Sequence, residues 1–310
     1  MTALRIQLFG RFCASYEGRN LHSFDAGKVQ ELLCYLALSR KPHPREMLAG
    51  LLWGDSSTSY AKKYLRQALW QLQSGLETNL GPLNQRLALV EADWVSLNPA
   101  LDLWLDVAEF EKAAASLTVR SGQALSTEDA RNLQNAVRLY QGDLLEGCYQ
   151  EWCLYERERL QNIYLATLDR LIGYCEAKNF FEQGLSYATE ALRFDPARER
   201  AHRQLMRLYL AAGDRTAALR QYERCLAALK TELGVSPSAR TTTLFKRIQA
   251  DEINDSSSVS GDEKLAISSA TNLLPEVLDH LKTVRSTLSN IQRQVKKDIR
   301  AVELALIRRH

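Results

Sequence analysis

Apolar and polar residues alternate from Leu4 to Phe12, the spacing of a half-exposed strand, and Gly18 and Asn20 then predict a turn. From about Ala26 the period lengthens to that of a helix, with Val29, Leu32, Leu33, Leu36 and Ala37 on one face. Pro42 and Pro44 break this helix, and Pro44 suits the first turn of the next one, REMLAGLLW, which Gly54 ends. The polar run DSSTS offers N-caps to a third helix, YAKKYLRQALWQLQSGLE. RLALVEADWVSLN then returns to strand character on both sides of a Glu91–Asp93 turn. Helix, helix, turn, helix and hairpin form the order of a winged helix-turn-helix, an α+β domain expected over residues 1–98.

From about Pro99 to Ala250 the pattern is almost continuous helix in short pieces, and it repeats. Leu171, Cys175, Gly184, Ala188 and Ala191 correspond to Leu205, Tyr209, Ala218, Tyr222 and Cys225 at a constant offset of 34. That is the period of tetratricopeptide repeats, whose antiparallel helix pairs stack and leave a concave surface. Gly184 and Ala218 fall where two helices of one repeat must approach closely, and Asp195-Pro196 where a repeat ends its second helix. A mainly α chain follows: a winged helix, a repeat domain over 99–251, a flexible Ser-rich linker over 252–268, and a helix over 269–310. In the last segment Leu274, Val277, Leu281, Val284, Leu288, Ile291 and Val295 recur at steps of three and four, the seam of a self-associating coiled coil. An amphipathic helix folded back on the repeats is the alternative.

Composition changes this picture little. Apolar residues are 45% and charged residues 25% of the 310-residue chain, ordinary values for a soluble globular protein. A net charge of +3 does not announce nucleic acid, so a DNA-binding reading must rest on where the charge lies. Turned at 100° per residue, the third helix separates Ala61, Leu65, Ala68, Leu69, Leu72 and Leu76 from Tyr60, Lys63, Gln67, Trp70, Gln71 and Ser74, with Lys62 and Arg66 on the flanks. It carries no acidic residue between Asp55 and Glu77. A helix fits the major groove, where Lys and Arg meet phosphate or guanine and Gln can pair with adenine. Lys63, Gln67 and Gln71 are therefore expected to read bases, and Lys62, Arg66 and Arg45 to hold phosphates. Arg86, at the base of the hairpin, is in position for the neighbouring minor groove. Trp70 stands on the same face, ready to stack on DNA sugars or to pack under the hairpin. Against this stands the bland reading of a solvated charged face.

Other classes have less support. No apolar run approaches the ~20 residues of a membrane span, and the N-terminus lacks the features of a signal peptide, so a cytoplasmic protein is expected. The six cysteines are scattered without a Cys-x-x-Cys pair, which leaves reduced thiols, with a Cys148–Cys153 disulfide the only local alternative. His22, His43, His202, His280 and His310 form no ligand spacing and no nucleophile–base pair, so neither metal, cofactor nor enzyme activity is expected. The carboxylates of YERERL and DPARERAH read as surface pairs and repeat-end contacts. The serious rival is an interaction scaffold in which the repeats and coiled coil do the work. A third possibility is a protein or small-molecule effector in the repeat groove.

LRIQLFGRF, AGKVQELLCYLAL, PREMLAGLLWGD and YLRQALWQLQSGL resemble the winged helix of the antibiotic-regulatory-protein (SARP) type of transcription activator. The segments LDLWLDVAEFEKA, LYQGDLLEGCYQEWCLYERERL, ALRFDPARERAHRQLMRLYLAAGDRTAALRQYERC and LKTELGVSPSARTTTLFKRI resemble the bacterial transcriptional activator domain that follows it in that family. The resemblance spans nearly all of residues 3–250. It implies a promoter-binding activator acting as a dimer on direct repeats. It also implies contact with RNA polymerase through the loop Trp53, Gly54, Asp55, Ser56 and Ser57. It supports DNA-facing roles for Lys62, Lys63, Arg66 and Gln67, without saying which base each reads. The chain departs from larger members in having no Gly-rich phosphate loop, and from the family pattern in its heptad tail.

Overall fold

The computed structural model describes residues 4–21, 27–80, 86–115 and 125–250, the side chains of 76–80 excepted. The heptad seam from Leu274 to Val295 and the linker before it lie outside the described residues. The N-terminal part runs β1 (Leu4–Gln7), β2 (Cys13–Tyr16), β3 (Arg19–Asn20), α1 (Gly27–Ser39), β4 (His43–Pro44), α2 (Arg45–Trp53), α3 (Thr58–Leu80), β5 (Ala88–Glu91) and β6 (Trp94–Leu97). Those three helices followed by a hairpin are the winged helix that the hydrophobic periodicity predicts. Leu32, Leu33 and Leu36 of α1, Leu48 and Leu52 of α2, and Ala61, Leu65, Ala68 and Leu72 of α3 meet in its core.

The first apolar run is not one strand to Phe12. β1 stops at Gln7, and the chain reverses into β2 with Leu4 opposite Tyr16 and Gln7 opposite Cys13. β2 and β3 then close a two-residue hairpin at Glu17 and Gly18. Both turn residues have positive φ, 49° and 77°, which a tight primed turn demands and glycine adopts without strain. The alternation continues past Gln7 for another reason. Leu8 and Phe9 point into the core, but their backbone N–H groups donate to the carboxylate of Asp106 instead of to a strand.

That carboxylate belongs to the second half of the chain, and with it comes a further departure from the sequence reading. The body does not begin as helix at Pro99: Leu103–Leu105 form β7, which pairs in parallel with β1 and completes a sheet ordered β3-β2-β1-β7. Three residues are too few for periodicity to distinguish from a helical turn. After β7 come α4 (Asp106–Ala115), α5 (Thr127–Leu139), α6 (Glu151–Lys178), α7 (Phe181–Phe194), α8 (Glu199–Ala211), α9 (Arg215–Leu233) and α10 (Ala239–Gln249). Local chemistry sets several of their ends. The Ser126 hydroxyl accepts from the Asp129 N–H to cap α5, Asp214 does the same for α9, and Asn179 and Gly234 close α6 and α9 in the left-handed conformation.

The 34-residue offset maps α6 and α7 onto α8 and α9, as in stacked helix pairs. Gly184 lies at the crossing of α6 and α7, where a Cβ would come within 3.0 Å of Leu208 and 3.2 Å of the Cys175 Cβ. His202 is buried between Pro196 O at 2.9 Å and the Gln221 amide at 2.7 Å, and burial lowers its pKa. The predicted surface pairs are present: Arg159 lies 2.6 Å from Glu111 and 2.7 Å from Glu156, while Glu199 accepts from Ser238 at the repeat end.

The two halves share one hydrophobic core running from Leu4 to Ala201. An aromatic ladder crosses it. The Phe9 ring meets Phe110 edge-on at 5.3 Å and Tyr140 at 4.6 Å, and Tyr140 stacks on Tyr164 at 4.1 Å. Backbone bonds from Gly10 N to Asp143 O, Leu145 N to Leu8 O and Glu146 N to Gly10 O lace the same seam. Arg157 of α6 holds the inner loop by donating to the carbonyls of Leu144, Leu145 and Cys148.

Candidate nucleic-acid interface

α3 buries the face its phasing assigns to the core and exposes the other. Ala61, Leu65, Ala68 and Leu72 are buried, whereas Lys62, Lys63, Arg66, Gln67 and Trp70 are exposed and Gln71 is half-buried. Among the described residues Lys63 and Arg66 have no ion-pair partner. Lys62 differs: its ammonium lies 2.6 Å from Glu46 of α2, hydrogen-bonded to a carboxylate whose pKa that bond and charge lower. The outward stripe is thus two unengaged cations and a glutamine on successive turns, with a third cation already partly satisfied.

The wing is anchored beside this helix. β4, β6 and β5 form a three-stranded sheet, with His43 opposite Val95 and Val90 opposite Val95 on its other side. Pro44 pairs with Trp94 as the last residue of β4 and serves as the N-cap position of α2, one place before the first turn expected for it. Arg45 is half-buried, and its backbone N–H donates to Asp93 O, which locks the start of α2 to the wing turn. At the other end Asn98 clamps the base of the wing: its amide donates to Arg86 O at 2.8 Å, and its N–H donates to Leu87 O. Arg86 itself is exposed.

Trp70 is 68% exposed, so the wing does not cover it. It is not alone. Tyr60 and Tyr64 stack at 6.3 Å, Tyr64 meets Trp53 at 6.4 Å, and Trp94 on the wing is 51% exposed. Tyr64, Trp94 and Glu46 were not picked out by phasing the helix alone. The four-residue step from Tyr60 to Tyr64 places them on adjacent turns, a signal present in the sequence. The Glu46–Lys62 contact spans two helices and has no such local signature.

The loop between α2 and α3 is compact. Ser56 N donates to Trp53 O, Ser57 and Ser59 share a hydroxyl contact at 3.2 Å, and a Cβ on Gly54 would sit 2.8 Å from Gly50 O. Asp55 and Ser57 are exposed at its tip, with Ser56 and Trp53 half-buried. Among the described residues no group of His, Cys, Asp or Glu is arranged to hold a metal ion, and no helix is long and apolar enough to cross a membrane.

The geometry defines a winged helix with a cationic, aromatic-flanked third helix, fused through a common core to stacked helix pairs. Comparison with known proteins specifies the class further. Residues 105–249 match the model of the bacterial transcriptional activator domain. Over 90% of its length the chain superposes on 72% of Mycobacterium tuberculosis EmbR, solved in complex with a low-affinity phosphopeptide, with a TM-score of 0.70 and 19% sequence identity. A weaker likeness is to the P58(IPK) TPR domain, with a TM-score of 0.30 and 11% identity over 66% of this chain and 54% of that one. No curated protein sequence matches significantly. The match over residues 105–249 and the likeness in fold are in line with the resemblance of the chain to SARP-type transcription activators.

Proposed function

We propose that the protein is a sequence-specific DNA-binding activator that works in the cytoplasm on promoter DNA. In this reading residues 1–98 engage the duplex. Lys63, Gln67 and Gln71 of α3 face base edges, and Arg66, Lys62 and Arg45 meet phosphates. Arg86 reaches from the wing base to the adjacent minor groove, and Trp70 packs on the sugars. The loop Trp53–Ser57 meets RNA polymerase. Residues 99–251 receive a protein or small-molecule effector, and the segment from 269 onward brings copies of the chain together. The observation that carries this is the α3 face itself: exposed Lys63, Arg66 and Gln67 on consecutive turns of a helix that buries Ala61, Leu65, Ala68 and Leu72 on its opposite side.

Binding of a fluorescent random duplex by the full chain tests it. The logarithm of the affinity should fall linearly with the logarithm of salt concentration, with a slope of about −0.9 for each phosphate neutralised. Affinity that is negligible at low salt, or indifferent to salt, would overturn the reading. The tail's role has its own test. A chain ending at Ser260 should have a lower mass by light scattering than the full chain, and an unchanged mass would count against self-association.

A further inference from the structure

A cavity of about 260 Å³ opens where the winged helix joins the helical body. Arg40, just past the end of α1, lines it together with Leu97 at the end of β6, Asn98, Pro99, Leu101 and Leu103 of β7. Leu97, Leu101 and Leu103 are half-buried, packed on the common core on one side and left to the cavity on another. The floor is preformed. Asn98 is 9% exposed and uses both ends of its amide: Nδ2 donates to Arg86 O at 2.8 Å, and Oδ1 accepts from Ala100 N at 3.0 Å. Leu101 N donates back to Asn98 O at 3.2 Å, which closes the turn that carries the leucines.

The one charged side chain in this lining is Arg40. It is exposed and, among the described residues, makes no ion pair. Its φ is 50°, a conformation that glycine adopts freely and arginine at a cost. What arginine adds there is a cation at the rim of an apolar cavity. Asp102, the acid within the lining segment, is exposed, does not line the cavity and pairs with neither Arg40 nor the exposed Lys41. Apolar walls favour hydrocarbon, and a guanidinium fork takes a carboxylate through two parallel hydrogen bonds. One cation matches one negative charge, whereas a phosphate monoester brings about two.

We propose that this cavity binds a small aliphatic carboxylate, its hydrocarbon against Leu97, Leu101 and Leu103 and its carboxylate on Arg40. The volume lies near the lower end for small-molecule sites, which suits a short unbranched chain better than a ring system or a peptide. The site shares only Pro99, Leu101 and Leu103 with the segment read above as receiving an effector, and it makes no use of the stacked helix pairs. A bound chain lies on the Asn98 turn that clamps Arg86, so the occupied site is continuous with the base of the wing. Binding here stands or falls independently of any DNA contact.

Calorimetric titration of the full chain with sodium octanoate tests this. Saturable binding at one site per chain is expected. Octylammonium, with the same hydrocarbon and the opposite charge, should bind about tenfold more weakly or not at all. Arg40→Gly suits the left-handed backbone, so the fold should hold while octanoate affinity drops by about tenfold or more and the preference over octylammonium disappears. An octanoate carrying a terminal diazirine should, on irradiation with the unmodified chain, label the segment from Leu97 to Leu103. Absence of saturable binding, equal affinity for octylammonium, unchanged affinity in a folded Arg40→Gly, or a label confined to the stacked repeats would overturn the proposal. The labelling arm needs no variant and keeps the test decisive if Arg40→Gly does not fold.

Discussion

Replacing Lys63, Arg66 and Gln67 together with alanine should reduce affinity for duplex DNA by at least about a hundredfold while leaving the thermal midpoint almost unchanged. One good bidentate base contact contributes about 1–3 kcal/mol of discrimination, and each lost phosphate contact removes a share of counterion release. Even without full additivity, three such losses on one face exceed about 3 kcal/mol, or two orders of magnitude. The fold should tolerate the change because all three side chains are exposed and alanine favours helix. Lys62→Ala alone should weaken binding less than Lys63→Ala, since its charge is already shared with Glu46. Anisotropy titrations at one fixed salt concentration, paired with circular dichroism melts, measure both quantities. Wild-type affinity in a folded triple variant would remove α3 from the interface.

Much of this face was legible before any coordinates, because it is a property of one helix. The buried set Ala61, Leu65, Ala68 and Leu72 repeats at steps of three and four, and such a stripe fixes what must point outward. The repeat pair was legible for a related reason: Gly184 is small because Leu208 and Cys175 crowd it, and the matching position, Ala218, is small as well. What the sequence hid are contacts between distant segments. β7 is three residues long and becomes a strand only by lying beside β1, about a hundred positions earlier. Leu8 and Phe9 look like a continuing strand because they are apolar in the right places, yet their N–H groups serve a carboxylate. Arg157, in a stretch that reads as a surface run of charge, turns inward to three carbonyls. Periodicity reports burial, but it cannot report which distant partner supplies it.

Asp106 gives the second large effect, and it acts on stability. Its side chain begins α4, is 2% exposed, and accepts from Leu8 N at 2.9 Å, Phe9 N at 3.0 Å and Val107 N at 2.7 Å. One carboxylate thus satisfies the end of β1 and the first turn of α4, the point where the N-terminal sheet and the helical body share their core. Asp106→Ala leaves those donors buried without an acceptor. Asp106→Asn keeps the volume but turns one acceptor into a donor facing the same N–H groups. Either change should lower stability by about 3 kcal/mol, from the loss of bonds to a charged group and the desolvated donors left behind. A midpoint lower by about 5 °C follows for a chain of this size, at about 2.1 cal/mol/K of unfolding entropy per residue. The pH dependence tests which force dominates. Burial raises the Asp106 pKa above 3.8 despite the backbone donors, so the folded chain holds this proton more tightly than the unfolded chain does. The stabilisation linked to that proton is complete below the ordinary carboxylate value and is lost as pH rises through the raised one. The stability gap between wild type and Asp106→Ala, read from urea midpoints, should accordingly be wider at pH 4.5 than at pH 7.5. A gap that widens toward pH 7.5 would mean that the three N–H donors outweigh desolvation and that the seam is held by a full negative charge.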